Sequence, residues 1–253
     1  MLTANRIAVS FGGVRAVDDV SLDVATGTIV GLIGPNGSGK STFLNAVCGL
    51  VPARGRVEVD NHRVRLGDPR HSWSARIIRT FQTPQVLASL TCMENVAFTS
   101  RDRGWSGAVG ALVVRPMMLR QERARWARAA AALDRVGLAD YAQVPAGQLS
   151  YGRRRLLELA RVINAQPLVL LLDEPTAGLN DIETAGFGDL LKGLRNDGIS
   201  MLLVDHKVDF IDSLCERIVV LELGQVIASD TPDRVWSQQR VVDAYLGVDD
   251  ADG

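Results

Sequence analysis

Ile29-Val30-Gly31-Leu32-Ile33-Gly34-Pro35-Asn36-Gly37-Ser38-Gly39-Lys40-Ser41-Thr42 is the stretch that decides the architecture of this chain. Its first five residues are a short, largely β-branched apolar run ended by a Gly/Pro/Asn turn, which predicts a buried strand over Ile29–Ile33. A helical pattern follows from about Lys40 to Leu50. Strand, glycine-rich turn and helix in that order match the phosphate-binding pattern GxxxxGK[ST]. Its glycines let successive backbone N–H groups curl round an anion without side-chain obstruction. The helix N-terminus adds partial positive charge. In such a loop Lys40 reaches the β- and γ-phosphates and the Ser41 hydroxyl ligates Mg²⁺.

A second apolar run, Leu168-Val169-Leu170-Leu171-Leu172, follows Pro167 and ends in Asp173-Glu174. By itself such a run is usually a strand with a solvated end. With a phosphate-binding loop elsewhere in the chain, Asp173 is placed to hold the Mg²⁺ shell and Glu174 to polarise the attacking water as general base. Ser200–Val204 and Arg217–Leu223 read as further strands, so the core is α/β. Arg6–Val9, Val20–Val24 and Arg56–Val59 alternate more, as in an antiparallel sheet. The Ala- and Arg-rich stretch from 84 to 149, with Trp126, Ala130, Leu133 and Gly137 at helical spacing, predicts an inserted helical subdomain. Residues 1–83 and 150–253 then form the core with its β subdomain. Leu149-Ser150-Tyr151-Gly152-Arg153 opens the helical pattern Leu156, Ala160, Ile163, and a Ser and a Gly at a helix N-terminus make a second anion site.

Composition bounds the function. The 253 residues carry 28 basic and 29 acidic side chains, net -1, which removes the electrostatic footprint of a nucleic-acid binder. The length suits one compact domain with a sub-lobe, or two small domains, at roughly 150 residues per domain. Cys48, Cys92 and Cys215 form no CxxC pair and read as small buried hydrophobes in a reducing compartment. Met1–Arg6 lacks the features of a signal peptide. The nearest approach to a membrane span, Trp105–Leu119, is broken by Arg115 and Pro116. His62 and His71 lie in polar loop sequence and take no role; Arg153-Arg154-Arg155 reads as a solvated helix face, and Asp249–Gly253 as a solvated, disordered tail.

Together these motifs resemble the ATP-binding cassette (ABC) family. The resemblance implies a P-loop NTPase with a RecA-like core, an N-terminal antiparallel β subdomain and an inserted α-helical subdomain. Leu149–Arg153 is similar to the family's signature motif, which contacts ATP held by the partner subunit. Gln82 in Thr80-Phe81-Gln82 resembles the Q-loop glutamine, which senses Mg²⁺ and the γ-phosphate, and His206 resembles the switch histidine. Phe11 occupies the place of the aromatic that stacks on adenine, and Ala177-Gly178-Leu179-Asn180 that of the loop crossing the dimer interface. The implied sets are Glu174, His206, Lys40 and Gln82 for catalysis, and Phe11, Val17, Gly34, Pro35, Asn36, Gly37, Ser38, Gly39, Lys40, Ser41 and Thr42 for ATP. Ser41, Gln82 and Asp173 are the implied Mg²⁺ ligands.

The family also implies ATP and Mg²⁺ as cofactors and a head-to-tail pair of cassettes, homo- or heterodimeric. Transmembrane permease subunits and, indirectly, a solute-binding protein would complete a system at the cytoplasmic face of the inner membrane; no nucleic acid is involved. Phe11–Val17, Arg79–Gln82, Ala177–Asn180, Ala244-Tyr245-Leu246-Gly247 and the Arg-rich segment between Val96 and Ala129 are similar to the ATP-binding subunits of branched-chain amino acid importers. A soluble cassette ATPase of the iron–sulfur assembly kind and a lipopolysaccharide-type exporter ATPase are the alternatives. Two positions depart from the pattern: Arg153, where Gln or a similar polar residue is usual, and Asp181, where Pro often stands.

Overall fold

The computed structural model describes residues 1–99 and 115–246. In chain order, β1 (Leu2–Phe11), β2 (Val14–Val24), β3 (Ile29–Ile33) and α1 (Lys40–Val47) come first. They are followed by β4 (Arg54–Val59), β5 (His62–Val64), α2 (Pro69–Ser74) and β6 (Ile77–Arg79). The middle of the chain holds α3 (Cys92–Ala97), α4 (Arg115–Arg135) and α5 (Tyr151–Asn164). The remainder runs β7 (Val169–Asp173), α6 (Asp181–Asn196), β8 (Ser200–Val204), α7 (Val208–Leu214), β9 (Arg217–Glu222), β10 (Gln225–Asp230), α8 (Pro232–Trp236) and α9 (Gln239–Leu246). Two units result: residues 1–82 together with those from 167 onward, and residues 83–166.

In the first unit, β3, β7 and β8 are buried along their whole length, which is why they read as unbroken apolar runs. They lie in a six-stranded sheet of order β10-β9-β3-β8-β7-β6. Its pairs are parallel except for β9 with β10. Parallel pairing brings the C-terminal ends of β3, β6, β7 and β8 to one edge, where α/β sheets bind their ligands. Those ends are followed within three residues by Gly34, Gln82, Glu174 and His206.

The second sheet, β2-β1-β4-β5, is antiparallel. It lays Leu2, Ile7, Val17, Val20 and Val57 into one core with Phe43 and Leu44 of α1 and with Leu171 and Leu202 of the parallel sheet. Its strands outrun the short runs expected from sequence because pairing continues to the tip of the hairpin, Phe11 opposite Val14. His62 and His71 stand in β5 and α2 rather than in loops, and both are exposed.

In the second unit α3 opens with a reciprocal cap between Thr91 and Glu94. The expected return to the core at residue 150 is corrected here, because Tyr151–Asn164 belongs to this unit. Helix α5 packs on α3 and α4. Asn164 Nδ2 donates to the Val96 carbonyl at 2.8 Å, and the Thr99 hydroxyl donates to the Arg161 carbonyl at 2.9 Å. The solvated face expected of Arg153-Arg154-Arg155 is corrected too. Arg155 is 1% exposed, since the 3.6-residue period puts it on the buried stripe with Gly152, Leu159 and Val162. There it pairs with buried Glu158 at 2.9 Å.

Residues 100–114 and 247–253 lie outside the described residues. They hold most of the Trp105–Leu119 stretch, much of the Arg-rich insertion, Gly247 and the acidic tail. Among the described residues no helix is long and apolar enough to cross a membrane.

Candidate nucleotide site

The loop from Gly34 to Gly39 is shaped by two glycines that nothing larger can replace. A Cβ at Gly34 would fall 2.0 Å from the Leu221 carbonyl oxygen, and one at Gly39 would fall 2.4 Å from that of Ala16, both at positive φ. Val17 is fully buried and packs under Gly39. Its side chain therefore supports the loop and offers no surface to a nucleotide, which corrects its place among the ATP contacts. Phe11, by contrast, is half exposed at the end of β1, as a stacking platform must be.

Within the loop Lys40 Nζ donates to the carbonyls of Gly34 at 2.7 Å and Pro35 at 2.9 Å. Burial pushes the Lys40 ammonium below its ordinary pKa, while the carboxylates of Glu174 and Asp173 oppose that shift. Ser38 Oγ is buried and has no hydrogen-bond partner among the described residues. An orphaned hydroxyl in this loop fits a phosphate oxygen as its missing partner.

Strand β7 delivers the two carboxylates. Asp173 Oδ2 accepts from Arg79 Nη2 at 2.7 Å. Glu174 sits at φ 48, a left-handed conformation that costs a non-glycine residue about 1–3 kcal/mol and persists only where the surroundings fix it. They do: its N–H donates to the Val204 carbonyl at 2.7 Å, and its carbonyl accepts from Ala177 N–H at 3.2 Å. The side chain is clamped from both sides. Oε2 accepts from Gln82 Nε2 at 2.8 Å, and Oε1 lies 2.9 Å from His206 Nε2. Gln82, Glu174 and His206, far apart in sequence, are thus one hydrogen-bonded row at the sheet edge.

Asp205 and Thr176 were not singled out in the sequence, yet they hold this row together. The buried Asp205 carboxylate accepts from the Thr176 hydroxyl at 2.7 Å, from Thr176 N–H at 3.1 Å and from His206 N–H at 2.8 Å. It ties the backbone of the histidine to the turn after Glu174. Lys207 continues the link, donating to Thr184 Oγ1 at 3.0 Å and to the Leu179 carbonyl at 3.3 Å. The available signal was a carboxylate directly after a buried strand, Val204-Asp205.

Leu149 to Arg153 lie in the other unit. Ser150 caps α5, its hydroxyl accepting from Arg153 N–H; Gly152 is buried, and the Arg153 guanidinium lies 4.3 Å over the Tyr141 ring. Ser41 and Gln82 are exposed and Asp173 nearly buried. One hydroxyl, one carboxylate and one amide oxygen, completed by phosphate and water, suit Mg²⁺, which favours few protein ligands. Among the described residues no group of three His, Cys, Asp or Glu could hold a metal alone.

The family model described as ABC transporter matches residues 17–177, a span that contains the phosphate-binding loop, Gln82, the Ser150 cap and the Asp173-Glu174 pair. The chain belongs to the ABC transporter family. This ABC chain is an ATP-binding, ATP-hydrolysing subunit. It is 35% identical over 249 residues, 98% of each chain, to the high-affinity branched-chain amino acid transport ATP-binding protein LivG of Salmonella typhimurium. It is also similar to a solved nucleotide-free ATP-binding cassette of an ABC transporter, with a TM-score of 0.83, 29% identity and coverage of 97% of this chain and 98% of that one. A dimeric cassette solved after hydrolysis with ADP and Pi matches with a TM-score of 0.74 and 27% identity, covering 92% and 99%.

Proposed function

We propose that this ABC subunit binds Mg²⁺-ATP on the loop from Gly34 to Thr42 and hydrolyses it to drive import of branched-chain amino acids or related small polar solutes. The row Gln82–Glu174–His206 carries the chemical part of this reading. Glu174 withdraws a proton from the attacking water as general base. Gln82 and His206 hold its two carboxylate oxygens, so that its position is fixed before the substrate arrives. His206 Nε2–H then has a γ-phosphate oxygen as its second acceptor, so that the same residue that orients the base reports whether phosphate is present. Lys40 leaves the Gly34 and Pro35 carbonyls for the phosphates, a stronger, charge-assisted partner. Ser41, Asp173 and Gln82 would hold Mg²⁺, which neutralises charge developing on the phosphates.

The cap at Ser150 and the amides that follow it supply an anion site for the nucleotide of a second cassette, so two chains head to tail build two complete sites. The solved cassette dimer with ADP and Pi supports that arrangement. Likeness to LivG along 98% of both chains supports the amino acid substrate and the role in transport. Membrane permease partners, a solute-binding protein acting through them and a place at the cytoplasmic face of the membrane are further parts of this proposal.

The test is a Glu174→Gln chain carrying an affinity tag, incubated with ATP and Mg²⁺ and recovered from detergent-solubilised host membranes. Two polytopic membrane proteins are expected by mass spectrometry, and deletion of the gene is expected to abolish uptake of radiolabelled leucine. Recovery without membrane proteins, or unchanged uptake of all branched-chain amino acids, overturns the transport reading or its substrate respectively.

A further inference from the structure

Arg79 is nearly buried, with a side chain 6% exposed, at the end of β6 and three residues before Gln82. Its guanidinium reaches two acceptors on two other elements. Nη2 donates to Asp173 Oδ2 at 2.7 Å, and Nη1 donates to Asn45 Oδ1 on α1. The Phe81 ring lies 5.2 Å from the same group. Asn45 stands one helical turn beyond Ser41, so the two share a face of α1. A rigid planar fork gripping Asn45 and Asp173 therefore sets the separation between the helix that carries the Ser41 hydroxyl and the strand end that carries the Asp173 carboxylate. It also occupies one of the two oxygens of that carboxylate. The strand that carries Arg79 runs on into Gln82. All three side chains assigned to Mg²⁺ are thereby referenced to one buried cation.

We propose that Arg79 is the positioning residue of the metal site: it fixes Asp173 relative to Ser41 and engages Asp173 Oδ2, so that Oδ1 would be the oxygen available to Mg²⁺. The proposal rests on the nucleotide-site reading above and deepens it. The contacts of Arg79 described above run to Asp173, Asn45 and Phe81, so its effect would pass through Asp173 and Asn45. Partners that orient metal ligands in this way typically change metal affinity about 10–100-fold when removed. The phosphate contacts of the loop from Gly34 to Lys40 do not involve Arg79, so affinity for metal-free nucleotide is independent of it.

The experiment measures binding of a fluorescent ATP analogue to the full chain in EDTA, followed by titration with Mg²⁺ and then with Mn²⁺. For Arg79→Met the EDTA affinity is expected to stay within about twofold of wild type, while the Mg²⁺ midpoint rises about 10–100-fold. Arg79→Lys keeps the charge but cannot grip both acceptors, and is expected to fall between the two. Asn45→Ala keeps the Arg79–Asp173 pair, leaves no unpaired buried charge, and is expected to shift the midpoint the same way by less; it and Arg79→Lys carry the test if Arg79→Met does not fold. Unchanged Mg²⁺ midpoints in Arg79→Lys and Asn45→Ala overturn the positioning role while leaving the site reading intact. So does a parallel loss of EDTA affinity and thermal stability with no selective effect on metal, which marks a merely structural pair. A wild-type chain whose nucleotide binding ignores Mg²⁺ overturns the metal-site reading itself, and this proposal with it.

Discussion

Replacing Glu174 with Gln changes a single oxygen to nitrogen, and the structure sets what that removes. The carboxylate accepts two hydrogen bonds, from Gln82 Nε2 at 2.8 Å and from His206 Nε2 at 2.9 Å. A glutamine amide has one oxygen, so one of the two must break unless its partner turns from donor to acceptor, by a flip of the Gln82 amide or the other tautomer of His206. No group on that amide can take a proton from water. Loss of one hydrogen bond to a charged acceptor costs about 1.5–3 kcal/mol of local order, offset in part by removal of the charge itself. Loss of the base costs about 10²–10⁴ in rate. At 1.36 kcal/mol per tenfold, that is about 2.7–5.4 kcal/mol of transition-state stabilisation. The P-loop ligands are untouched, so KM for ATP should stay close to wild type. Phosphate release at saturating Mg²⁺-ATP measures kcat, and size-exclusion chromatography of the same samples follows the dimer. The ATP-bound dimer should accumulate because the step that would part it is slowed. A kcat within tenfold of wild type refutes the base assignment. A rise in KM with kcat unchanged would refute it too, since the carboxylate would then act in binding substrate and transition state alike.

Two further outcomes follow from groups outside the reaction. Arg155→Met removes the 2.9 Å ion-pair partner of the buried Glu158 carboxylate, which keeps the Gln85 N–H and the Arg161 charge beside it, and should destabilise the chain by about 1.5–3 kcal/mol. Arg155→Met/Glu158→Met should recover most of that loss in a thermal melt, and equal melting points for the single and double variants would sink the argument. Burial pushes the Cys48 thiol up to about 12 and raises those of Cys92 and Cys215, so a thiol reagent at pH 8 should label none of them until urea is added. The unfolded chain loses these protons first, from about pH 9, so stability should be indifferent to the thiols below that pH and fall as it rises towards 12. Labelling of the native chain at pH 8 would contradict the burial of these side chains.

The parallel core was legible because its strands are buried on both faces and so appear as uninterrupted apolar runs, each ended by residues with chemistry to perform. Lys40, Glu174 and His206 could be found for the same reason, since each follows the end of such a strand. The ends of the antiparallel strands were harder to read, because exposed positions near the hairpin, Ser10 and Arg15 among them, carry no apolar signal while their backbone still pairs. Arg155 was misread because a run of three arginines looks uniform in sequence, whereas a helix points consecutive residues some 100° apart and buries the third. Val17 was misplaced for a related reason: a residue can border a binding loop and still face wholly inward.

Sequence by itself determined the local chemistry here: a loop with the glycines needed to turn amides towards a phosphate, a lysine and a serine at the helix start, and two carboxylates at a strand end. These depend on residue type and short-range spacing, which one line of letters contains. Only the tertiary structure decided that Gln82 and His206 grip the two oxygens of Glu174, that Asp205 ties Thr176 to His206, and that Arg79 joins Asn45 to Asp173. Each of those contacts joins segments separated by many residues along the chain. Parallel strand pairing brings them to one edge, and no pattern within any single segment encodes its partner.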